Sequence, residues 1–197
     1  MNKLKNKGLL TYRNLNDTDK YFIDFCPAKN VGAEVVNARC GSLNCSEPNN
    51  CSVVVKVIYG NNSFLFAGDA EDEEENALLG NDKMKMELNA DVFKACHHGS
   101  CTSNTLDFLK AVSPVLVIVS SGQRDVGTNR GYKHPQLFSL NNFNTVLTTA
   151  KYRKDKIEVY DHDHSKWVKA KAKEGIYYTK IDSTVEIIGD GIKVWKN

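Results

Sequence analysis

Histidine is scarce in this 197-residue chain, yet two of its five histidines are adjacent in the stretch FKACHHGSCTSN, residues 93–104. His97 and His98 follow a short apolar run, and Asp69 follows another, FLFAG, 28 residues before His97. One carboxylate with one or two imidazoles is a donor set suited to Zn, Mn or Fe. A lone Asp before a helix is also a common N-cap, so the pattern alone leaves both interpretations open.

The elements around these residues predict an α/β fold. CSVVVKVIYG alternates and is separated from SFLFAG by an Asn-Asn turn, which predicts a hairpin. The predicted elements are strands at 51–60 and 63–68, a helix at 69–80, a strand at 90–96, a helix at 102–112 capped by Ser103 or Asn104, and a buried strand at 114–121. Because parallel strands end at one rim of a sheet, Asp69 should lie near His97 and His98.

The remaining segments predict a helix and several antiparallel strands. HPQLFSLNNF (134–143) predicts a helix with Pro135 in its first turn. KIEVYDHD, GIYYTKI and STVEIIGDGIKVWK alternate, and the Gly-Asp-Gly at 189–191 predicts a tight turn. Residues 1–48 show little periodicity apart from a strand at KYFIDFC, so we divide the chain into an N-terminal segment, 1–48, and a domain, 49–197.

Charge and hydropathy limit the function classes. The formal net charge of +2 is too small to indicate nucleic-acid binding, and the basic run KYRKDK (151–156) is short and interrupted by Asp155. The longest apolar run, PVLVIV, is far shorter than the roughly 20 residues of a membrane helix. We read no membrane segment and no signal peptide, and we expect a cytoplasmic protein, with an extracytoplasmic fragment of a larger membrane protein as the alternative.

The six cysteines match no zinc-finger spacing. They lie at positions 26, 40, 45, 51, 96 and 101. We interpret them as free or incidental thiols, with a disulfide such as Cys40–Cys45 and a metal role as the alternatives.

The order of the motifs resembles a known family over roughly residues 49 to 192. The stretches that carry the resemblance are NNCSVVVKVIYGNNSFLFAGDAEDEEENALL, LNADVFKACHHGSCTSN, FLKAVSPVLVIVSSG, YKHPQ and GIYYTKIDSTVEIIGDG. In this order they are similar to the C-terminal half of the metallo-β-lactamase-fold domain of ComEC-type competence proteins and their stand-alone relatives. The resemblance implies a metallo-β-lactamase-like αββα sandwich of which this chain holds chiefly the second half.

The resemblance also assigns roles to individual residues. Asp69 matches the family's bridging metal carboxylate, and His98 is our preferred metal ligand, although the reverse order of His97 and His98 stays open. His97 then has a catalytic role, either as a residue that supports a metal ligand without binding the metal or as a group that contacts the phosphate. His134 of the KHP motif matches a histidine near the substrate-facing rim and is the second catalytic candidate.

The chemistry that the family uses is metal-dependent hydrolysis. One or two divalent ions, Zn or Mn, are implied, and two such ions about 3.5–4 Å apart activate a water and clamp a scissile phosphate. The resemblance therefore implies a phosphodiesterase or nuclease class, with a phosphodiester such as DNA as substrate. Ser100 and Ser103 are then either phosphate-contacting or loop-holding hydroxyls.

The family's main metal motif, HxHxDH, lies upstream of the GDA element, whereas residues 1–68 contain no histidine. YDHDHSKW (160–167) is interpreted as a polar hairpin tip, with an adventitious metal site as the alternative. We therefore expect a hydrolase half that is incomplete or inactive as a lone chain, with a homodimer or a partner chain covering its exposed sheet. A non-catalytic scaffold that serves as a binding or regulatory module, and an unrelated α/β binding protein, are the alternatives.

Overall fold

A computed structural model describes residues 21–26, 31–37 and 47–197. These residues form eleven strands and six α-helices. The strands are β1 (Tyr21–Cys26), β2 (Val31–Asn37), β3 (Val54–Tyr59), β4 (Asn62–Phe66), β5 (Val92–Lys94), β6 (Leu116–Val119), β7 (Tyr152–Asp161), β8 (Lys166–Lys173), β9 (Ile176–Tyr178), β10 (Ile187–Gly189) and β11 (Val194–Lys196). The helices are α1 (Asp72–Leu79), α2 (Asp82–Glu87), α3 (Leu106–Val112), α4 (Asn129–Tyr132), α5 (Leu137–Val146) and α6 (Thr179–Asp182). Pro48–Cys51 and Cys96–Gly99 form short 3₁₀ turns.

Seven strands form one mixed sheet in the order β1-β2-β3-β4-β5-β6-β9. The first four are antiparallel neighbours, and β4, β5, β6 and β9 are parallel. Parallel neighbours need crossover connections, which α1 and α2 provide between β4 and β5 and α3 provides between β5 and β6. The α/β prediction is confirmed, and the carboxyl ends of β4, β5 and β6 share one edge. The complete αββα sandwich stays a prediction.

A row of buried side chains crosses the parallel part of the sheet. Leu65, Phe93, Val117 and Ile176 are register partners on successive strands, and all four are fully buried. Phe93 also packs edge-on against Phe108 of α3, with ring centroids 5.9 Å apart. Packing along this row fixes the register of the parallel strands relative to one another, and therefore the positions of the loops that follow them.

Outside the large sheet, β7 and β8 form a long antiparallel ribbon. Its inner side chains, which include Ile157, Val159 and Ala172, belong to the main apolar core. The second hairpin, β10–β11, is joined to the β3–β4 turn, where the Gly191 amide donates to Asn62 Oδ1 at 2.8 Å. Both antiparallel pairings confirm the prediction for these segments.

Two strands differ from the sequence prediction. The GIYYTKI segment forms β9, but β9 pairs in parallel with β6 rather than antiparallel with a neighbour. The segment 31–37 forms β2, which pairs with β1 and β3 although its sequence gave no strand signal. The boundary at residue 48 stays a prediction. No helix in the part of the chain that the structure describes is long and apolar enough to cross a membrane.

Both helix starts proposed after HHGS are displaced. Thr105, not Ser103 or Asn104, precedes α3. The amides of Asn104 and Thr105 donate to the Glu75 carboxylate at 2.6 and 2.8 Å, so a distant acid replaces the local cap. Burial raises the pKa of that carboxyl. Helix α5 begins at Leu137, and Pro135 lies in the loop that precedes it.

The cysteines differ in state. Cys51 is disulfide-bonded, which corrects the free-thiol interpretation at that position. Cys96 and Cys101 are free, as predicted. The proposed Cys40–Cys45 pairing lies outside the described residues.

Asn104 ties the loop after β5 to the rest of the molecule. Its Oδ1 accepts the Cys96 amide at 2.9 Å, and its Nδ2 donates to the Cys96 carbonyl at 3.1 Å and to Ser139 Oγ at 3.1 Å. Asn104 is fully buried, so no water can replace these partners. The two peptide groups on either side of Cys96, at the entry to the His97–His98 turn, are thus held by one side chain.

We expect Phe93→Ala to lower the free energy of unfolding by about 3–5 kcal/mol, because it leaves a cavity in the buried row. Phe138, which is 46% exposed, is the matched control, and Phe138→Ala should cost no more than about 1 kcal/mol. Urea denaturation followed by circular dichroism measures both. Equal losses would show that the row is not the core.

Asn104→Gly should destabilise the chain by about 2–3 kcal/mol, because the buried amide and carbonyl of Cys96 lose the Asn104 side chain as their partner. Glycine is chosen because Asn104 has a φ of 63°, which an alanine would resist. The control is Asn89→Gly, since Asn89 is exposed and makes one hydrogen bond, to the Val112 carbonyl. The same denaturation experiment measures both variants. If Asn104→Gly lowered the free energy of unfolding no more than Asn89→Gly does, the hydrogen bonds from Asn104 to Cys96 would not hold the loop.

Candidate functional site

The structure brings Asp69, His97 and His98 to one edge of the sheet. Asp69 follows β4, and the two histidines follow β5, which is the parallel neighbour of β4. The loops are joined directly, because the His97 amide donates to the Gly68 carbonyl at 3.2 Å. Asp69 is held through its own amide, which donates to Ser52 Oγ at 3.1 Å. The carboxylate and the imidazoles predicted to meet therefore do meet.

Asp69 and His98 face each other. Asp69 Oδ1 lies 3.6 Å from His98 Nε2, and both side chains are nearly half exposed. The other ring nitrogen, Nδ1, lies 2.7 Å from the Ser120 carbonyl, which can only accept, so Nδ1 carries the hydrogen. In the neutral imidazole, Nε2 then presents its lone pair toward the Asp69 carboxylate. Two ligands about 2.1 Å from a tetrahedral ion are about 3.4 Å apart, so this spacing fits two coordination positions.

His97 is oriented by a different acid. Its Nδ1 lies 3.0 Å from Glu71 Oε1, which also accepts from Thr102 Oγ1 at 3.0 Å and from Asn49 Nδ2 at 3.2 Å. The sequence had left the order of the two histidines open. The structure places His98 opposite Asp69 and gives His97 a carboxylate that fixes its ring, while the choice of metal ligand stays a prediction.

The backbone of the histidine turn is in an unusual conformation. His97 and His98 have φ values of 42° and 53°, and Gly99 follows with 81°. A left-handed residue with a Cβ costs roughly 1–2 kcal/mol, so two in succession are expensive. A Cβ on Gly99 would lie 3.1 Å from the Pro135 Cβ, which presses the turn against the next loop. Strain of this kind persists where the surrounding structure enforces it, most often at functional sites.

His134 completes the group from a third loop. Its amide donates to Asn129 Oδ1 at 2.6 Å and its carbonyl accepts from Asn129 Nδ2 at 2.8 Å. The ring lies edge-on to His97 at 5.1 Å and stacks on His98 at 6.3 Å between centroids. Burial, with the nearby His97 and His98, lowers the pKa of His134 to about 4. His134 is therefore neutral at physiological pH.

Two cavities open on this cluster. The larger, of about 670 Å³, has Asp69 and His98 in its wall, and the smaller, of about 380 Å³, has Glu71 in its wall. His97 and His134 line both. The two residues predicted to be catalytic therefore separate two solvent-accessible spaces.

The donor set is incomplete in the part of the chain that the structure describes. There, no three His, Cys, Asp or Glu side chains are grouped so that they hold a metal ion. Asp69 and His98 supply two donors, whereas a catalytic zinc site has three protein ligands and an open position. The residues present fit part of a metal site, and the metal and catalytic roles of the four candidate residues stay predictions.

The other polar candidates serve the loops. Ser103 Oγ donates to the Ala70 carbonyl at 2.8 Å, and Ser100 Oγ lies 3.0 Å from Thr102 Oγ1. His164 Nδ1 lies 2.9 Å from Asp161 Oδ2 in the exposed turn between β7 and β8. These contacts fit loop-holding hydroxyls and a polar hairpin tip, as the sequence favoured.

Glu71 and Asn129 were not predicted. Glu71 stands in the run DAEDEEE, where a helix start explains every acid equally well, so no local signal separates it from its neighbours. Asn129 reads as an ordinary loop residue. Only the tertiary contact with a histidine identifies each of them.

Comparison with known proteins finds related segments in three longer chains, and no protein-family model matches. The chain is 37% identical over 89 residues to competence protein ComA of Neisseria gonorrhoeae and 33% identical over 87 residues to ComE operon protein 3 of Bacillus subtilis. It is 35% identical over 75 residues to the uncharacterized protein YcaI of Escherichia coli. These matches cover 45%, 44% and 38% of this chain, but only 12%, 10% and 10% of the relatives. Part of the chain is thus related to a short part of each of these longer proteins, two of which have competence-related names.

Proposed function

We propose that this chain carries part of the metal site of a phosphodiester hydrolase, which further donors from another polypeptide complete. The observation that carries the proposal is the pair Asp69 Oδ1 and His98 Nε2, 3.6 Å apart, with the Nε2 lone pair directed at the carboxylate by the Ser120 carbonyl. Without a cation or a proton between them, these two electron-rich atoms repel. A divalent ion such as Zn or Mn relieves that repulsion.

Each residue has a distinct task in this proposal. Asp69 and His98 hold the ion, which when bound acidifies a water and polarises a phosphate. His97, with Nδ1–H donated to Glu71, presents Nε2 to accept a proton from the attacking water, and the resulting imidazolium can return that proton to the leaving oxygen. His134 is neutral and packs against both rings, so it keeps them oriented without adding charge.

The resemblance and the comparisons together support a substrate such as DNA. Two relatives are named for competence, and the fold family that the motifs resemble hydrolyses phosphodiesters. The metallo-β-lactamase-like sandwich, of which the described sheet forms one part, belongs to the same proposal. A partner chain or a second copy then covers the sheet and contributes the missing ligands.

The compartment is part of the proposal as well. A cytoplasmic location stays the prediction from sequence. The disulfide at Cys51 favours the extracytoplasmic alternative, because disulfides are rare in the reducing cytosol.

A second candidate function rests on the same geometry. Since the described residues offer two facing donors and no third, the chain also fits a non-catalytic scaffold that binds or regulates another protein. The strained His97–His98 turn argues for the hydrolase, because a scaffold gains nothing from two left-handed histidines.

The test is metal binding and hydrolysis by the full chain. We expect wild type to bind Zn or Mn weakly, and Asp69→Ala to lose both the bound metal and any metal-dependent hydrolysis of bis(p-nitrophenyl) phosphate. Elemental analysis after equilibrium dialysis and release of p-nitrophenol measure the two quantities.

Asp107→Ala is the matched control, because Asp107 is exposed and its carboxylate forms an ion pair with Lys110 at 3.0 Å, away from the candidate site. It should behave as wild type. Cleavage that continues unchanged in Asp69→Ala would refute the site. Absence of bound metal in wild type would favour the scaffold, whereas absence of turnover with metal bound is what a site completed by another polypeptide predicts.

A further inference from the structure

Positive charge is concentrated on one strand. β8 carries four lysines and no acidic residue, whereas the whole chain has a formal net charge of +2. The rest of the chain is therefore net negative. The acid-rich segment 69–75 lies at the candidate metal site, so attraction of a polyanion to this protein has to come from elsewhere, and β8 is the strongest source.

Strand pairing gathers the lysines on the outer face of the ribbon. Lys156 of β7 is the register partner of Lys171, and Glu158 is the partner of Lys169. Lys156, Lys169 and Lys171 are exposed, and within the described residues no ion pair involves their ammonium groups. Like charges directly opposite each other destabilise a hairpin, and an anionic ligand would remove this repulsion.

Aromatic rings lie in the same face. Trp167 is the register partner of Tyr160, with ring centroids 5.5 Å apart. Arg124 and Lys180 lie over the Trp167 ring at 5.6 and 5.5 Å. The same two cations bind Glu158 at 3.2 and 2.7 Å, so the acid on this face is neutralised. We call the set Lys156, Glu158, Tyr160, Trp167, Lys169 and Lys171 the ribbon face.

The ribbon face leads to the candidate site. Tyr160 at one end of it lines the smaller cavity, together with His97 and His134. Lys133 lies between them, with its ammonium 4.7 Å from the centre of the Tyr160 ring. The face covers residues 167–171 of β8, so it extends for roughly 14 Å at about 3.4 Å per residue, which is long enough to contact a few nucleotides.

We propose that the ribbon face is a binding surface for single-stranded nucleic acid. The lysine row contacts the phosphates, and the indole of Trp167 stacks on a base, the combination by which proteins bind single strands without sequence preference. In a duplex the base faces are stacked on one another, so a duplex would make only the charge contacts with the lysines. The proposal goes beyond the proposed hydrolase function, because binding here requires neither a metal ion nor cleavage.

The decisive variant is the triple change Lys156→Gln, Lys169→Gln and Lys171→Gln. Fluorescence anisotropy of a labelled oligothymidylate, recorded in EDTA over a series of salt concentrations, measures the dissociation constant. We expect the triple variant to bind at least about tenfold more weakly, and the slope of log affinity against log salt to fall by about 2, since each lost phosphate contact removes about 0.7. Trp167→Leu should weaken binding at least about fivefold and leave the salt slope unchanged.

The control triple variant replaces Lys83, Lys85 and Lys110 by glutamine, which removes the same charge from exposed positions on α2 and α3. It should bind as wild type, and circular dichroism confirms that every variant is folded. Equal losses in both triple variants, a preference for duplex over single strand, or binding to anionic vesicles but not to the oligonucleotide would each overturn the proposal.

The same assay separates this surface from the metal site. Asp69→Ala should bind the oligonucleotide as wild type does. In wild type, oligonucleotide binding with no bound metal would refute the proposed function and leave the ribbon face intact. Metal binding that Asp69→Ala abolishes, without oligonucleotide binding through the lysines, would do the reverse.

Discussion

The candidate site depends on one constraint, which is that the chain leaves β5 through two consecutive left-handed histidines. That conformation is unfavourable in isolation, and buried hydrogen bonds enforce it. Asn104 holds the peptide groups of Cys96 just before the turn, and a Cβ on Gly99, just after it, would lie 3.1 Å from the Pro135 Cβ. The turn directs His98 toward Asp69 and His97 toward Glu71, two acids that lie two residues apart in sequence. A relaxed turn would lose both pairings together.

The histidines differ because their hydrogen-bond partners differ. A backbone carbonyl accepts from Nδ1 of His98, which leaves Nε2 facing Asp69. A carboxylate, Glu71, orients the His97 ring through its Nδ1. His134 packs against both rings, and its pKa of about 4 means that it contributes packing and not charge. Three similar side chains thus have three different surroundings. The positive charge of the protein lies away from them, on the ribbon face.

Local patterns in the sequence predicted the hairpin β3–β4, the parallel strands β5 and β6, and the meeting of Asp69 with the HHGS pair. Such predictions succeed because alternation and strand-end position are local properties. The failures involve partners distant in sequence. Glu75 binds the amides at the start of α3, which made the local caps at Ser103 and Asn104 unnecessary. The lysines of KYRKDK read as a weak, interrupted run until the register brought Lys156 opposite Lys171.

The central claim is that Asp69 and His98 hold one divalent ion, and anomalous diffraction from crystals soaked in Zn²⁺ tests it most directly. The account predicts an anomalous peak about 2.1 Å from both Asp69 Oδ1 and His98 Nε2, with the His98 Nδ1 contact to Ser120 preserved. A peak bound to His97 instead, or no peak between Asp69 and His98 in crystals that bind zinc elsewhere, would contradict it.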